Sequence, residues 1–321
     1  MNPGARPLVI LAVLLAGAFV LWARSRFLRV GSFSRLLRRA EAEAFTGDLD
    51  RAAGALDAAT AQLRHLHRSF RAAASRALTV LRANLLYRRG DLDAAASLTY
   101  ELLARTHAAP NPDPYAVAQR YSDLGRICMA REDYGEASAL FEKSLQWKLG
   151  AGCHEIDHVP ELLMLARALA RQGRLPDACM AMARSAAIER RALADPSLDR
   201  HPALLCFGAD LELQPAVVDE WLLYQGEYER AAAGFRSKIA CEGDSGVALD
   251  LEGLPYQEKL AEAEEGLGRH GPARDAFLEA AAVWELRLAP GHPRAAWCRR
   301  RAAEISEITE AGAAPDGGIS S

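Results

Sequence analysis

The sequence predicts an all-α protein built as an array of antiparallel helix pairs, and three observations lead to that reading. A short turn pattern ending in alanine recurs six times along the chain. A large, mostly apolar side chain follows four residues after each of those alanines. Around each turn the apolar residues fall at the three- and four-residue steps that put them on one helix face.

The clearest copy runs from Tyr121 to Leu145. Leu124, Gly125 and Cys128 form the inward stripe of a first helix, Glu132 and Asp133 break it, and Tyr134, Ala137, Phe141 and Leu145 form the stripe of a second. Small Ala137 lets the two helices approach and Phe141 fills the space beside it. The same turn returns as GDLDRA ending at Ala52, GDLDAA at Ala95, EDYGEA at Ala137, GRLPDA at Ala178, GEYERA at Ala231 and GRHGPA at Ala273. The alanines are separated by 43, 42, 41, 53 and 42 residues, so one structural unit is being copied. Leu56, Thr99, Phe141, Met182, Phe235 and Phe277 occupy the position four residues on. Glycine in the turn can adopt the left-handed conformation that closes one helix, and aspartate can cap the next.

On these residues the chain resembles the tetratricopeptide repeat family, in the longer form with a period of about 42 residues found in kinesin-light-chain-type repeats. That family joins its units by linkers resembling LGPDHP, and LAPGHP (Leu288–Pro293), DRHPAL (Asp199–Leu204) and IDHVPEL (Ile156–Leu162) are similar. The resemblance covers roughly residues 33 to 308 and implies an α-solenoid that binds other proteins. It departs from the family at Glu43, at Thr99, and in about eleven extra residues at 203–213 before the fifth unit. After the sixth unit, His292 to Ile308 reads as one more helix, a polar-faced cap with Ala295, Trp297 and Cys298 turned inward. The expected organisation is residues 1–32 as an anchor, 33–309 as the array with its cap, and 310–321 as a loose tail.

Half the residues are apolar and a quarter charged, the balance of a folded protein rather than a disordered one. The net charge of −3 hides an amino-terminal segment of 33 residues with four arginines and no acid. The rest of the chain is distinctly acidic and poorly suited to nucleic acid. Six cysteines without a CxxC pair read as packing residues in a reducing compartment.

Leu8 to Ala23 carries no charge and reads as a short membrane span within residues 7–23, with Trp22 and the arginines from Arg24 onward on the following side. The expectation is a single-pass membrane protein whose array lies in the cytoplasm. The competing reading is a secretory signal around Ala16-Gly17-Ala18, which would make the array an exported assembly factor.

Chemistry is thinly signalled. His154-Glu155-Ile156-Asp157-His158 fits HExxH, the spacing with which helical zinc hydrolases hold their metal. Gly150 and Gly152 before it and Pro160 after it put the string in a linker instead. No phosphate-binding loop, dinucleotide fingerprint or nucleophile elbow occurs in the sequence. The expectation is therefore a non-enzyme without cofactor, metal or small-molecule substrate.

Aligning the units by their turns predicts which first-helix residues line the concave face. Asn84, Arg88, Arg126, Arg167 and Arg171 fall there in units two to four, and Glu220, Glu258, Glu262 and Glu265 in units five and six. The groove is expected to be basic in its middle and acidic at its carboxyl-terminal end, steering an extended peptide of opposite polarity. Some members of the family grip a terminal carboxylate here, and Asn84, Arg126 and Arg167 are similar in type without completing that clamp.

Overall fold

The computed structural model describes residues 30–44, 46–193, 215–241 and 255–313. A first helix, α1, covers residues 30–44, followed by α2 (Leu49–Leu63), α3 (Arg68–Arg89), α4 (Leu92–His107), α5 (Pro114–Ala130) and α6 (Tyr134–Gly150). A 3-10 turn (Glu155–His158) leads into α7 (Val159–Arg171), paired with α8 (Leu175–Leu193). Beyond it lie α9 (Pro215–Tyr224), α10 (Tyr228–Cys241), α11 (Tyr256–Gly266), α12 (His270–Arg287) and α13 (Pro293–Ala313). The chain divides after Arg88 into two compact units.

Turn chemistry explains where each pair reverses. Asp48, Asp91 and Asp133 accept hydrogen bonds from the backbone N–H three residues on, capping α2, α4 and α6. The residue that closes the preceding helix has positive φ in all six turns; it is glycine in five of them, as at Gly90 (φ 81°), and Glu132 (φ 65°) in the third. A left-handed conformation costs glycine nothing and costs glutamate about 1–2 kcal/mol.

Packing follows the repeat at every copy. Ala52, Ala95, Ala137, Ala178, Ala231 and Ala273 are all buried, and so are Leu56, Thr99, Phe141, Met182, Phe235 and Phe277. Thr99 satisfies its hydroxyl by donating to the Ala95 carbonyl, which lets a polar residue occupy an apolar position. At the α5–α6 contact a Cβ on Gly125 would stand 2.7 Å from the Phe141 ring, so the absence of a side chain there sets the helix separation. Of the four cysteines whose side chains are described, Cys128 and Cys298 are buried and Cys153 and Cys179 half-buried; burial, then the charges of Glu136 and Asp133, push the Cys128 pKa up to about 12.

The first unit holds α1, α2 and α3 up to Arg88. Within it Ser32 donates to Gln62, Arg82 reaches Thr60 and Asp57, and Arg88 donates to the Ala44 carbonyl. In the second unit successive helices from α4 onward pack on one another. Its last helix also returns to its beginning: Pro293 Cδ would lie 3.3 Å from a Cβ on Gly90, and Arg300 pairs with Glu132. As expected of the cap, Ala295 and Cys298 are buried and Trp297 packs against the Phe277 cluster. The helix runs on to Ala313, beyond the expected end at Ile308.

Among the described residues no helix is long and apolar enough to cross a membrane. This corrects the expectation of a single-pass membrane protein with a cytoplasmic array. The apolar stretch at 8–23 from which it was drawn lies outside the described residues, as do the extra residues at 203–213.

Candidate functional site

Within the second unit, α5, α7, α11 and α13 turn one side toward a shared narrow cleft that is partly open to solvent. Helices with charged residues on that side line it because each pair buries its apolar stripe between its own helices, leaving the first helix's other face polar. Arg167 and Arg171 come from α7, Glu258 and Lys259 from α11, and Arg294 and Trp297 from α13, with Met129 and Tyr134 at the α5–α6 end.

The charges predicted to line a peptide groove largely meet one another. Arg167 is 4% exposed and bonds Glu220 bidentately, Nε to Oε1 at 2.9 Å and Nη2 to Oε2 at 2.8 Å. Tyr224 donates to the same carboxylate at 2.6 Å and Lys259 Nζ lies 3.1 Å from it. Arg171 reaches Glu258 at 2.9 Å and Glu262 at 2.5 Å, and its guanidinium lies 4.0 Å from the Trp297 ring centroid. Trp284 Nε1 donates to the other oxygen of Glu258 at 3.1 Å. Basic middle and acidic end thus face each other across the inside of the unit.

Burial by itself would raise the Glu220 pKa; the positive charges of Arg167 and Lys259 and the hydrogen bonds from Arg167 and Tyr224 outweigh it and hold the carboxyl far below its usual range. Glu258 behaves alike: burial raises it, and Arg171, Arg294, Lys259 and the Trp284 hydrogen bond bring it below the ordinary value. Such a network contributes little net stability over an apolar core but makes loss of one member costly.

The remaining predicted residues lie elsewhere or at the margins. Asn84 is exposed and Arg88 half-buried, both on α3 in the first unit. Burial holds the Asp123 carboxyl above its ordinary pKa, against the opposing charges of Arg120 and of Arg126, which is half-buried on α5. Glu265 is joined to Arg301 of the cap helix.

The HEIDH string is strapped down as a linker. Only Glu155–His158 is helical, and as a 3-10 turn, so His154 and His158 do not share an α-helical face. Glu155 pairs with Arg191 at 2.7 Å, and Lys148 donates to the Asp157 carbonyl at 2.6 Å while pairing with buried Glu161. Burial, then the charges of Lys148 and Arg184, keep the His158 pKa below the ordinary imidazole value.

Sequence reasoning missed Lys259, Tyr224, Trp284, Trp297 and Arg294 as members of this network. Lys259 was within reach, since it sits beside Glu258 and three residues before Glu262 on the same helix. Arg294 and Trp297 were not, because the cap was read as an end of the array rather than as part of its lining.

No protein-family model matches the sequence and no curated protein matches it. Among solved structures, the apo form of RapI aligns with 87% of this chain and 99% of its own, at 12% identity and a TM-score of 0.50. A tetratricopeptide repeat protein from Parabacteroides merdae aligns with 87% of this chain and 97% of its own at 13% identity and a TM-score of 0.43. The putative kinesin light chain TPR-like repeats of Podosopora anserina cover 64% of this chain and 92% of their own at 17% identity and a TM-score of 0.40. At these identities the likeness is one of fold, and the fold, carried by six copies of the turn and its buried alanine, is an all-α helical repeat solenoid of the tetratricopeptide type.

Proposed function

We propose that the protein is a scaffold without chemistry of its own, which holds a partner protein or peptide against the inner side of its second unit. The fold supports an interaction role in general terms, because stacked helix pairs expose one continuous polar face. The observation that carries the specific reading is the charged cleft, where first helices from separate repeats and the cap present Arg171, Glu262 and Arg294 beside Tyr134 and Trp297. Since most of these charges already have partners, a bound segment gains only the difference between its contacts and those it displaces. Arg126, Arg171 and Glu262, which are not fully buried, are the proposed contact residues.

A photo-crosslinking amino acid at half-buried Tyr134 tests this, with the same group at Met180, 64% exposed on α8, as control. Partner adducts should form from position 134 and not from 180. Adducts from 180 alone, or equally from both, would mean that the partner meets another face.

A further inference from the structure

The first unit carries a charge distribution of its own. Residues 58–88 hold six arginines, two histidines and no acid. Three of those arginines and both histidines gather where α2 turns into α3, at Arg64, His65, His67, Arg68 and Arg71, all exposed around buried Leu66. Arg71 donates to the backbone carbonyls of Arg64 and Leu66 at 3.1 and 3.2 Å, which pins the corner without neutralising its charge. Arg64 Nε donates to the His65 ring. The guanidinium of Arg68, and that of Arg76 further along α3, has neither ion pair nor hydrogen bond among the described residues. α1 begins at the same corner, its Ser32 donating to Gln62, and adds Arg35 and Arg38, exposed and likewise without partners among the described residues. Arg68 and Arg71 stand in the first turn of α3, where the helix dipole disfavours cations and no acid offsets them. Between them in sequence is Phe70, 50% exposed.

We infer that this corner binds a single-stranded nucleic acid, with Arg64, Arg68 and Arg76 meeting its phosphates and Phe70 offering its ring to a base. A surface of one sign suits a polymer charged alike at every residue, whereas a protein partner of mixed charge leaves most of these arginines unmatched. An anionic bilayer is a poorer match, because binding there grows with the apolar area buried, and Phe70 is the corner's one large exposed apolar side chain among the described residues. A single strand relieves two local conflicts at once: the cations in the first turn of α3 gain a counter-charge, and the half-bare ring is covered by stacking. The acidity of the rest of the chain points away from nucleic acid, and the first unit departs from that expectation. The inference uses no feature of the cleft in the second unit.

The test is fluorescence anisotropy of the full chain with a labelled oligothymidylate of about twelve nucleotides, at salt from about 50 to about 200 mM. Binding should saturate and should weaken as salt rises. Arg68→Gln combined with Arg76→Gln should flatten the plot of log affinity against log salt by about 1.4, the share of two phosphate contacts on a single strand. Phe70→Ala should weaken binding at least about fivefold and leave that slope unchanged. Neither arginine change removes an ion pair or hydrogen bond seen among the described residues, and circular dichroism checks that each variant is folded. Polyglutamate and vesicles containing phosphatidylserine serve as competitors, and tighter binding of the oligonucleotide than of either supports the site. Tighter binding of polyglutamate would make the partner an acidic protein, and tighter binding of the vesicles a lipid surface; either overturns the inference. So would no saturable binding at the lowest salt, an unchanged slope in the folded double variant, or undiminished binding in Phe70→Ala.

Discussion

Replacing Arg167 with methionine probes the inner network most severely. Arg167 supplies two of the contacts to Glu220, whose carboxylate is almost wholly buried. Removing one partner of a buried ion pair costs about 3–5 kcal/mol, because the other charge is left without compensation. Here Lys259 and Tyr224 still hold Glu220, so the loss belongs at the lower end, about 3 kcal/mol. Adding Glu220→Gln to Arg167→Met should recover part of that loss, since the stranded charge disappears with it. Urea unfolding followed by far-UV circular dichroism measures all four members of the cycle. The pH dependence supplies an independent sign. A carboxyl with a depressed folded-state pKa contributes stability above the unfolded value, near 4.3, and loses it as pH falls toward the folded value. Wild type should therefore weaken below about pH 4 through this group, and Arg167→Met should show a flatter acid limb. An Arg167→Met protein within about 0.5 kcal/mol of wild type, or a double variant as unstable as the sum of the singles, would refute the reasoning.

Other perturbations read other parts of the fold. Gly125→Ala should destabilise by about 1–3 kcal/mol by driving a methyl into the Phe141 ring, which has no exposed surface into which to retreat; urea midpoints measure it. Glu132→Gly should raise stability by up to about 1 kcal/mol, as relief of the left-handed glutamate outweighs loss of the exposed pair with Arg300, and the same urea melts decide it. Burial pushes the Glu189 carboxyl up to about 7, and among the described residues its Oε1 has no hydrogen-bond partner. The unfolded chain ionises from about pH 4.3 while the folded one stays protonated, so this group lowers stability as pH climbs to about 7. Glu189→Gln should accordingly gain on wild type at pH 8 and not at pH 4, read from thermal melts at both values.

The repeat was legible because its signal is local. A turn, an alanine and a bulky residue four places on describe one helix pair, and the six copies each show their alanine and partner side chain buried. The exceptions were visible only as departures, and the structure shows how they fit: Thr99 bonds back to its own helix and is buried like its counterparts, and Glu132 takes the place of the turn glycine. The inner face was only half legible. Helix register placed Arg167, Arg171, Glu220, Glu258 and Glu262 on first helices, but whether such residues meet a ligand or one another depends on how tightly successive pairs wind. That winding is set by contacts 53 to 91 residues apart, such as Arg167 to Glu220 and Arg171 to Glu262, which no local pattern encodes. The cap shows the same difficulty, since the return of Arg300 to Glu132 spans 168 residues.

The inner network depends on the second unit closing upon itself, with α13 brought back to the α5–α6 turn. Spin labels at exposed Glu136 and Arg299, near the contact of Glu132 with Arg300, report on this directly by pulsed electron resonance. A single short distance between the labels is the predicted result. A long or broadly spread distance would contradict it, and would return Arg171, Glu258 and Glu262 to solvent.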